Sequence, residues 1–152
     1  MTINRIVIID CETTGLDPSR DRITEIAAVL FDVPRATVVT SFASLVHGET
    51  NEAEAINRIP VGALQSAPSA AHAWNRVGEL VDVAEMYGPA VFMAHRAEFD
   101  RGFLAASAPN LAARLPWVCS KFDVEWPSSK PGASCVEMAL AHGVPVVSAH
   151  RA

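Results

Sequence analysis

The chain has 152 residues, half of them hydrophobic, and a formal net charge of −5 at pH 7. This length suits one domain with a single core, and the hydrophobic content excludes an intrinsically disordered chain. The negative charge argues against a basic protein that coats nucleic acid, but it is compatible with an enzyme that holds one nucleic-acid end through metal ions.

The first half of the chain predicts three strands in an antiparallel meander. Residues 5–10 are rich in β-branched side chains, which predicts a central strand buried on both faces. Turn residues separate it from strands at 23–31 and 37–46. Residues 47–69 contain scattered acids and prolines and predict a loop-rich connection.

The second half alternates between helical and strand patterns. This order predicts an α/β fold in which helices flank a mixed five-stranded sheet, the meander plus parallel strands. The predicted elements are a helix at 70–86, a strand at 90–94, a helix that begins after 95–100 and runs to about 106, a short helix or turn at 109–115, a strand at 117–119, a helix at 133–142 and a first helical turn at 148–152.

The cysteines and the hydropathy pattern indicate the compartment. Cys11, Cys119 and Cys135 form no CxxC pair, which predicts reduced, mostly buried thiols and no structural zinc site. No apolar run approaches the ~18 residues of a membrane span, and the N-terminus lacks the pattern of a secretory signal. We therefore expect a cytoplasmic protein that does not contact a membrane.

Two acids at the end of the first strand are the most informative feature of the sequence. Asp10 and Glu12 lie two residues apart, so they share one face of the strand while Cys11 takes the other. Such a pair persists when a cation or a shared proton offsets the repulsion, which predicts a metal site. The alternative is a solvated strand end, and the spacing alone does not decide between them.

Asp100 and His150 are the other candidate catalytic residues. Asp100 lies in the first turn of a predicted helix, where a carboxylate is favoured, and His150 opens another predicted helix. Three acids can hold two divalent ions about 3.5–4 Å apart, and a neutral imidazole suits a general base for water. Together these residues predict phosphoryl-transfer chemistry.

Three motifs resemble those of the DEDDh exonucleases, also called the DnaQ-like family. Residues 8–16 (IIDCETTGL) are similar to its first motif, residues 94–104 (AHRAEFDRGFL) to its second, and residues 149–152 (AHRA) to the start of its third. They occur in family order and span nearly the whole chain. The resemblance implies a single exonuclease domain over residues 1–152 with a ribonuclease H-like fold.

The same resemblance implies a function and a set of roles. It implies a metal-dependent 3′–5′ exonuclease that releases nucleoside monophosphates from a single-stranded or frayed DNA end, in proofreading or end trimming, with two Mg²⁺ or Mn²⁺ ions and a polymerase as an expected partner. The implied metal ligands are Asp10, Glu12 and Asp100, the implied general base is His150, and the implied substrate-binding residues are Thr13, Leu16, His95 and Phe99.

Two departures from the family pattern leave alternatives open. Arg96 stands where the second motif often has Asn, and the family has a fourth acid shortly after the histidine, whereas this sequence stops at Ala152. We therefore expect the 152-residue form to have weak or no activity and a form extended through the next Asp to be active. The alternatives are an RNA-directed exonuclease of the same family and a catalytically impaired nucleic-acid-binding or polymerase-associated module.

Overall fold

The computed structural model describes residues 2–127 and 133–146. The strands are β1 (Arg5–Thr13), β2 (Ile23–Asp32), β3 (Thr37–Leu45), β4 (Ala90–Ala94) and β5 (Trp117–Cys119). The helices are α1 (Glu54–Asn57), α2 (Val61–Gln65), α3 (Ala70–Met86), α4 (Ala97–Ser107), α5 (Pro109–Ala112) and α6 (Cys135–Ala141). The turn predicted at 148–152 lies outside the described residues.

The five strands form one mixed sheet in the order β3-β2-β1-β4-β5. The pairs β1–β2 and β2–β3 are antiparallel, and the pairs β1–β4 and β4–β5 are parallel. The predicted mixed sheet flanked by helices is therefore confirmed. Since β1 is the central strand, the residues that follow it lie beside the beginning of the antiparallel strand β2 and the end of the parallel strand β4.

One face of β1 forms part of the main core. Val7, Ile9 and Cys11 belong to a buried cluster that includes residues of α3 and α4. On the opposite face, Ile8 is 37% exposed and Asp10 is also exposed. The prediction that this strand is buried on both faces was wrong, because a run of β-branched residues satisfies strand propensity without fixing what covers each face.

Helix α3 begins and ends at the residues predicted from the sequence. The hydroxyl of Ser69 accepts a hydrogen bond from the backbone N–H of His72 at 3.3 Å, so it caps the helix. At 17 residues α3 is the longest helix in the described part of the chain, where no helix combines the length and the apolar character needed to cross a membrane. Its buried residues, at helical spacing, are Ala73, Trp74, Val77, Leu80, Val81 and Ala84.

The connection between β3 and α3 contains the two short helices that the sequence did not predict. Helices α1 and α2 have four and five residues, too few for a 3.6-residue hydrophobic period to become visible. Between them, Arg58 adopts a left-handed conformation with φ of 58°. Ile59 and Leu64 are nevertheless fully buried, so this connection is an ordered part of the fold.

The cysteine prediction was right in one respect and wrong in another. All three thiols are free, as expected, but only Cys11 is buried. Cys119 is partly exposed and Cys135 is exposed. The difference arises because Cys119 ends a short strand and Cys135 begins a short surface helix, positions that the sequence did not reveal as exposed.

A buried ion pair lies at the end of β1 remote from Asp10. A guanidinium nitrogen of Arg5 lies 3.1 Å from a carboxylate oxygen of Asp32, and both side chains are less than a tenth exposed. Arg35 adds a second contact to Asp32 at 2.8 Å. Asp32 accepts hydrogen bonds from Arg35. These bonds, together with the positive charges of Arg5 and Arg35, hold the pKa of Asp32 below its usual range despite some desolvation.

We expect the Asp32→Asn substitution to lower the midpoint of thermal unfolding by several degrees at pH 7, because it leaves Arg5 buried without a charged partner. A carboxylate with a depressed folded-state pKa stabilises the protein above its unfolded pKa, and this contribution is lost as the pH falls through the folded pKa. The deficit of the variant should therefore shrink in acid. Asp82→Asn, at an exposed ion pair, is the control, and equal losses in both variants would contradict the assignment.

Candidate active site

Asp10 and Glu12 lie near the carboxyl end of β1, on the face opposite the core residue Cys11. In the antiparallel pairing with β2, Asp10 is opposite Ala27 and Glu12 is opposite Glu25. The register shifts between Glu12 and Thr13, where the pairing becomes irregular. The structure therefore brings a third carboxylate, that of Glu25, to the strand end, and Glu25 is itself buried.

Asp100 reaches the same strand end from α4. Its side chain is 2% exposed, and its Oδ1 accepts a hydrogen bond from the backbone N–H of Cys11 at 3.0 Å. That N–H lies between the two acids of β1, so the hydrogen bond joins the first turn of α4 to the acidic end of the strand. Asp10 and Asp100, 90 positions apart in the sequence, are thus brought together.

Burial and mutual repulsion shift the pKa values of this group of acids. Burial, followed by the negative charge of Asp10, raises the pKa of Asp100 to about 7. Asp10 lies at the surface, but the protein atoms around it displace water, and this desolvation together with the charge of Glu25 raises its pKa as well. Burial and the charges of Asp100 and Asp10 also raise the pKa of Cys11 well above its usual value, so this thiol stays protonated.

The donor chemistry of the site fits a hard divalent cation. Carboxylate oxygens are the ligands that Mg²⁺ and Mn²⁺ prefer, and a cation would offset the repulsion between Asp10 and Asp100. Within residues 2–127 and 133–146, however, no three acidic, histidine or cysteine side chains form a ready-made metal-binding cluster. The described residues therefore supply a coupled pair of carboxylates, with Glu12 on the same strand face as Asp10.

Hydrogen bonds and the close approach of Asp21 hold the turn that follows β1. The hydroxyl of Thr13 donates a hydrogen bond to the carbonyl of Gly15 at 2.5 Å, and the backbone N–H of Thr14 donates to the carbonyl of Arg22 at 2.8 Å. A Cβ added to Gly15 would overlap the carboxylate of Asp21, so a larger residue here would have to displace the Asp21 side chain. The turn places the next residue, Leu16, on the surface with 84% exposure.

Two buried asparagines attach the α1 segment to the same turn. The amide of Asn57 donates to the carbonyl of Thr13 at 3.2 Å, and the amide of Asn51 donates to the side-chain oxygen of Asn57 at 2.9 Å and to the carbonyl of Ile59 at 2.7 Å. The backbone N–H of Ile59 donates to Asn57 at 3.1 Å. Asn57 thus fixes the chain immediately after Glu12.

Leu16 and Phe99, two of the predicted substrate-binding residues, line one surface cleft of about 690 Å³. Its walls come from the turn after β1, the first two turns of α4 and the end of β5. Its lining includes Phe99, the residue before Asp100 in α4, but not Asp10, Glu12 or Asp100. Among the described residues, its lining consists of Leu16, Pro18, Arg96, Glu98, Phe99, Gly102, Cys119, Phe122 and Asp123.

Of the two histidines that the sequence singled out, the structure describes His95. His95 is not part of the cleft lining; its Nδ1 lies 3.2 Å from the hydroxyl of Ser120. Burial, together with the charges of Lys121 and Arg96, lowers the pKa of His95 despite an opposing effect of the Ala133 backbone. His95 is therefore a neutral residue between β4 and β5. His150 lies outside the described residues.

Several residues around the site were not selected by sequence reasoning. Asn51 and Asn57 act through hydrogen bonds to a distant segment, and Phe122 joins the cleft only because β5 lies beside β4 in the sheet. Two isolated asparagines in an acidic loop carry no periodic signal. An exposed phenylalanine after a short strand is also inconspicuous until its neighbours are known.

Comparison with known families identifies one match over most of the chain. The RNase_T family, described as an exonuclease family, matches residues 7–152. The DNA polymerase III subunit epsilon of Treponema pallidum is 32% identical over 154 residues, which cover 94% of this chain and 67% of that protein. The PolC-type DNA polymerase III of Staphylococcus epidermidis is 33% identical over 101 residues, which cover 64% of this chain and 6% of that protein.

Solved structures confirm the expected ribonuclease H-like fold. E. coli exonuclease I in complex with a dA16 oligonucleotide has a TM-score of 0.66 at 15% identity, over 96% of this chain and 37% of that one. The nuclease domain of 3′hExo, a DEDDh family member bound to rAMP, has a TM-score of 0.58 at 19% identity, over 74% of this chain and 61% of that one. This chain therefore spans about two thirds of the Treponema relative and a smaller share of the other proteins.

We expect the Asp100→Asn substitution to stabilise the protein in the presence of a chelator. The amide oxygen of asparagine can still accept the Cys11 hydrogen bond, but it carries no buried charge. A carboxyl group whose folded-state pKa is raised destabilises the folded state progressively as the pH rises from about 4 to 7. The gain in the free energy of unfolding should be absent near pH 4 and on the order of a few kcal/mol above pH 7. Urea unfolding measures it. A gain that does not change with pH would contradict this electrostatic origin.

The Asn57→Ala substitution should lower the free energy of unfolding by ~1–3 kcal/mol, because it leaves buried hydrogen-bonding groups of Thr13, Asn51 and Ile59 with fewer partners. Hydrogen exchange should also become faster at the backbone amides of residues 13–16. Asn75→Ala, at an exposed position of α3, is the matched control. Unchanged exchange in this turn would show that Asn57 does not hold it.

Proposed function

The chain belongs to the RNase_T exonuclease family, and we propose that it is a metal-dependent 3′–5′ exonuclease that acts on DNA ends. The observation that carries the proposal is the juxtaposition of Asp10 and Asp100, joined through the Cys11 N–H. Two neighbouring carboxylates make each other's ionisation less favourable, so such a pair is poorly suited to a purely structural role. Their arrangement suits a site that a cation completes.

The proposed roles follow from the positions of the acids. Asp10, Glu12 and Asp100 would hold Mg²⁺ or Mn²⁺, because they supply hard oxygen ligands from a rigid strand and the first turn of a helix. Divalent ions bound by carboxylates supply charge stabilisation and lower the pKa of water. Glu25 would contribute negative potential from β2, since its charge already acts on Asp10.

The proposed reaction is hydrolysis of the last phosphodiester bond. The oxygen of a water molecule bonds to phosphorus, the bond from phosphorus to the 3′ oxygen of the preceding nucleotide breaks, and a nucleoside 5′-monophosphate leaves. His150, by its resemblance to the family histidine, would accept one proton of the water, and the departing 3′ oxygen takes up a proton from solvent to become a hydroxyl group. The Thr13–Leu16 turn and Phe99 would orient the terminal nucleotide, with Leu16 against its base.

DNA is the favoured polymer because the relatives with the higher sequence identity are DNA polymerase III chains. The same relatives support a polymerase as partner, in proofreading or in the trimming of ends. RNA is the rival substrate, since the motifs contain nothing that distinguishes a 2′-hydroxyl group.

The decisive experiment follows 5′-labelled single strands of DNA and of RNA with matched sequences, with Mg²⁺, with Mn²⁺ and with a chelator. For a catalytically active form of the protein we expect a ladder of products that shortens by one nucleotide at a time, a higher rate on DNA, and no products with the chelator. Faster digestion of RNA would assign the function to RNA. Tight binding of the strand without products and without Mn²⁺ binding by calorimetry would identify a non-catalytic binding module.

In a catalytically active form of the protein, Asp10→Ala should reduce turnover by several orders of magnitude, because it removes a ligand from the strand that forms the site. Glu49→Gln, at an exposed acid in the connection after β3, should leave turnover unchanged. The measurement is the initial rate of release of nucleoside monophosphate at saturating metal. Turnover of Asp10→Ala close to that of the parent would overturn the metal assignment.

A further inference from the structure

Two glutamates face each other where β1 pairs with β2. Glu12 of β1 is directly opposite Glu25 of β2 in the antiparallel register, and Glu25 is only 6% exposed. Directly opposite residues of an antiparallel pair point to the same face of the sheet, with their Cβ atoms about 4.5–5.5 Å apart. Like charges in this position destabilise the pairing of the strands. Strand pairing by itself therefore does not account for these two glutamates.

Across the sheet, the side chains next to Glu25 are apolar on β3 and acidic on β1. On the β3 side, Glu25 is opposite Leu45. In the next row on this face, Ala27 lies between Asp10 of β1 and Ala43 of β3. Asp10 is therefore a diagonal neighbour of Glu25, with only the methyl group of Ala27 in the place opposite Asp10. The charge of Glu25 contributes to the raised pKa of Asp10, in agreement with this register.

The register brings Glu25 to the acids of β1 without making it a corner of a closed metal cluster. Within residues 2–127 and 133–146, no three acidic, histidine or cysteine side chains are placed to hold an ion directly. Mg²⁺ usually keeps several of its water molecules and takes only one or two carboxylates from the protein. Those water molecules donate hydrogen bonds, and an ionised carboxylate can only accept them. A carboxylate beside the ligands can therefore hold the ion through its water.

We propose that Glu25 is a positioning residue of the metal site, whose carboxylate accepts hydrogen bonds from water on the divalent ion held by Asp10 and Glu12. This inference rests on the proposed function and adds an outer carboxylate to the three proposed ligands. It also explains the two opposed glutamates, because the ion and its water offset the repulsion between them. Residues that support a metal site from outside its direct ligands typically contribute 10–100-fold to the affinity for the metal.

Titration of the 152-residue chain with Mn²⁺ tests this role without any need for turnover. The electron paramagnetic resonance of the free ion measures the affinity. Glu25→Gln keeps the size of the side chain and removes its charge, and we expect it to weaken Mn²⁺ binding about 10–100-fold. Glu25→Asp keeps the charge on a shorter side chain, so its loss of affinity should be smaller than that of Glu25→Gln.

Two control variants separate this role from general effects of charge and stability. Glu49→Gln removes the same charge from an exposed position in the connection after β3. Asp32→Asn removes a buried carboxylate at the other end of β2. Both should leave the affinity for Mn²⁺ unchanged, although Asp32→Asn lowers thermal stability. Circular dichroism with a chelator establishes that each variant is folded, and Glu25→Asp alone decides the test if Glu25→Gln is not.

The possible outcomes distinguish this inference from the proposed function. If the parent binds Mn²⁺ and the folded Glu25 variants bind it equally well, Glu25 has only a structural role, and the inference fails while the proposed function stands. Equal losses in Glu25→Gln and Glu49→Gln would assign the effect to net charge and also overturn the inference. If the parent binds no Mn²⁺ at millimolar concentrations, the metal site itself fails, and the proposed function fails with it.

Discussion

The hydrogen bond from the Cys11 N–H to Asp100 is the contact on which the arrangement of the site depends. It is made by a backbone group of the central strand, so its direction is set by the sheet, and it is buried. It holds α4 with a carboxylate beside Asp10 although the two charges repel each other. A side chain that only filled space at position 100 would not need the hydrogen-bond donor that the backbone supplies between Asp10 and Glu12.

Other parts of the fold stabilise this unfavourable local arrangement. Asn57 and Asn51 hold the chain immediately after Glu12, and Gly15 admits Asp21 against the turn that follows. At the other end of β1, the buried Arg5–Asp32 pair joins the first two strands. Opposite charges thus attract at one end of β1, whereas at the other end Asp10 and Asp100 repel each other, and this second end is where a cation and a phosphate are proposed to bind.

The sequence predicted the elements whose signal is local. Helix α3 has its apolar residues at helical spacing and a serine cap, and the apolar run of β4 ends at its predicted residue. The acids of β1 and α4 were also found, because their positions at element ends are visible along the chain. The exposed face of β1 and the asparagine pair were not, since both depend on which distant segments pack there. The predicted roles of all these site residues remain predictions.

The proposed function is compatible with a negative net charge, because the fold gathers the acids in one place. Strand β1 carries Asp10 and Glu12 at the middle of the sheet, and α4 brings Asp100 to the same strand end. A divalent cation bound there would offset this local negative charge, so positive side chains would be needed only where the phosphates of a bound strand pass.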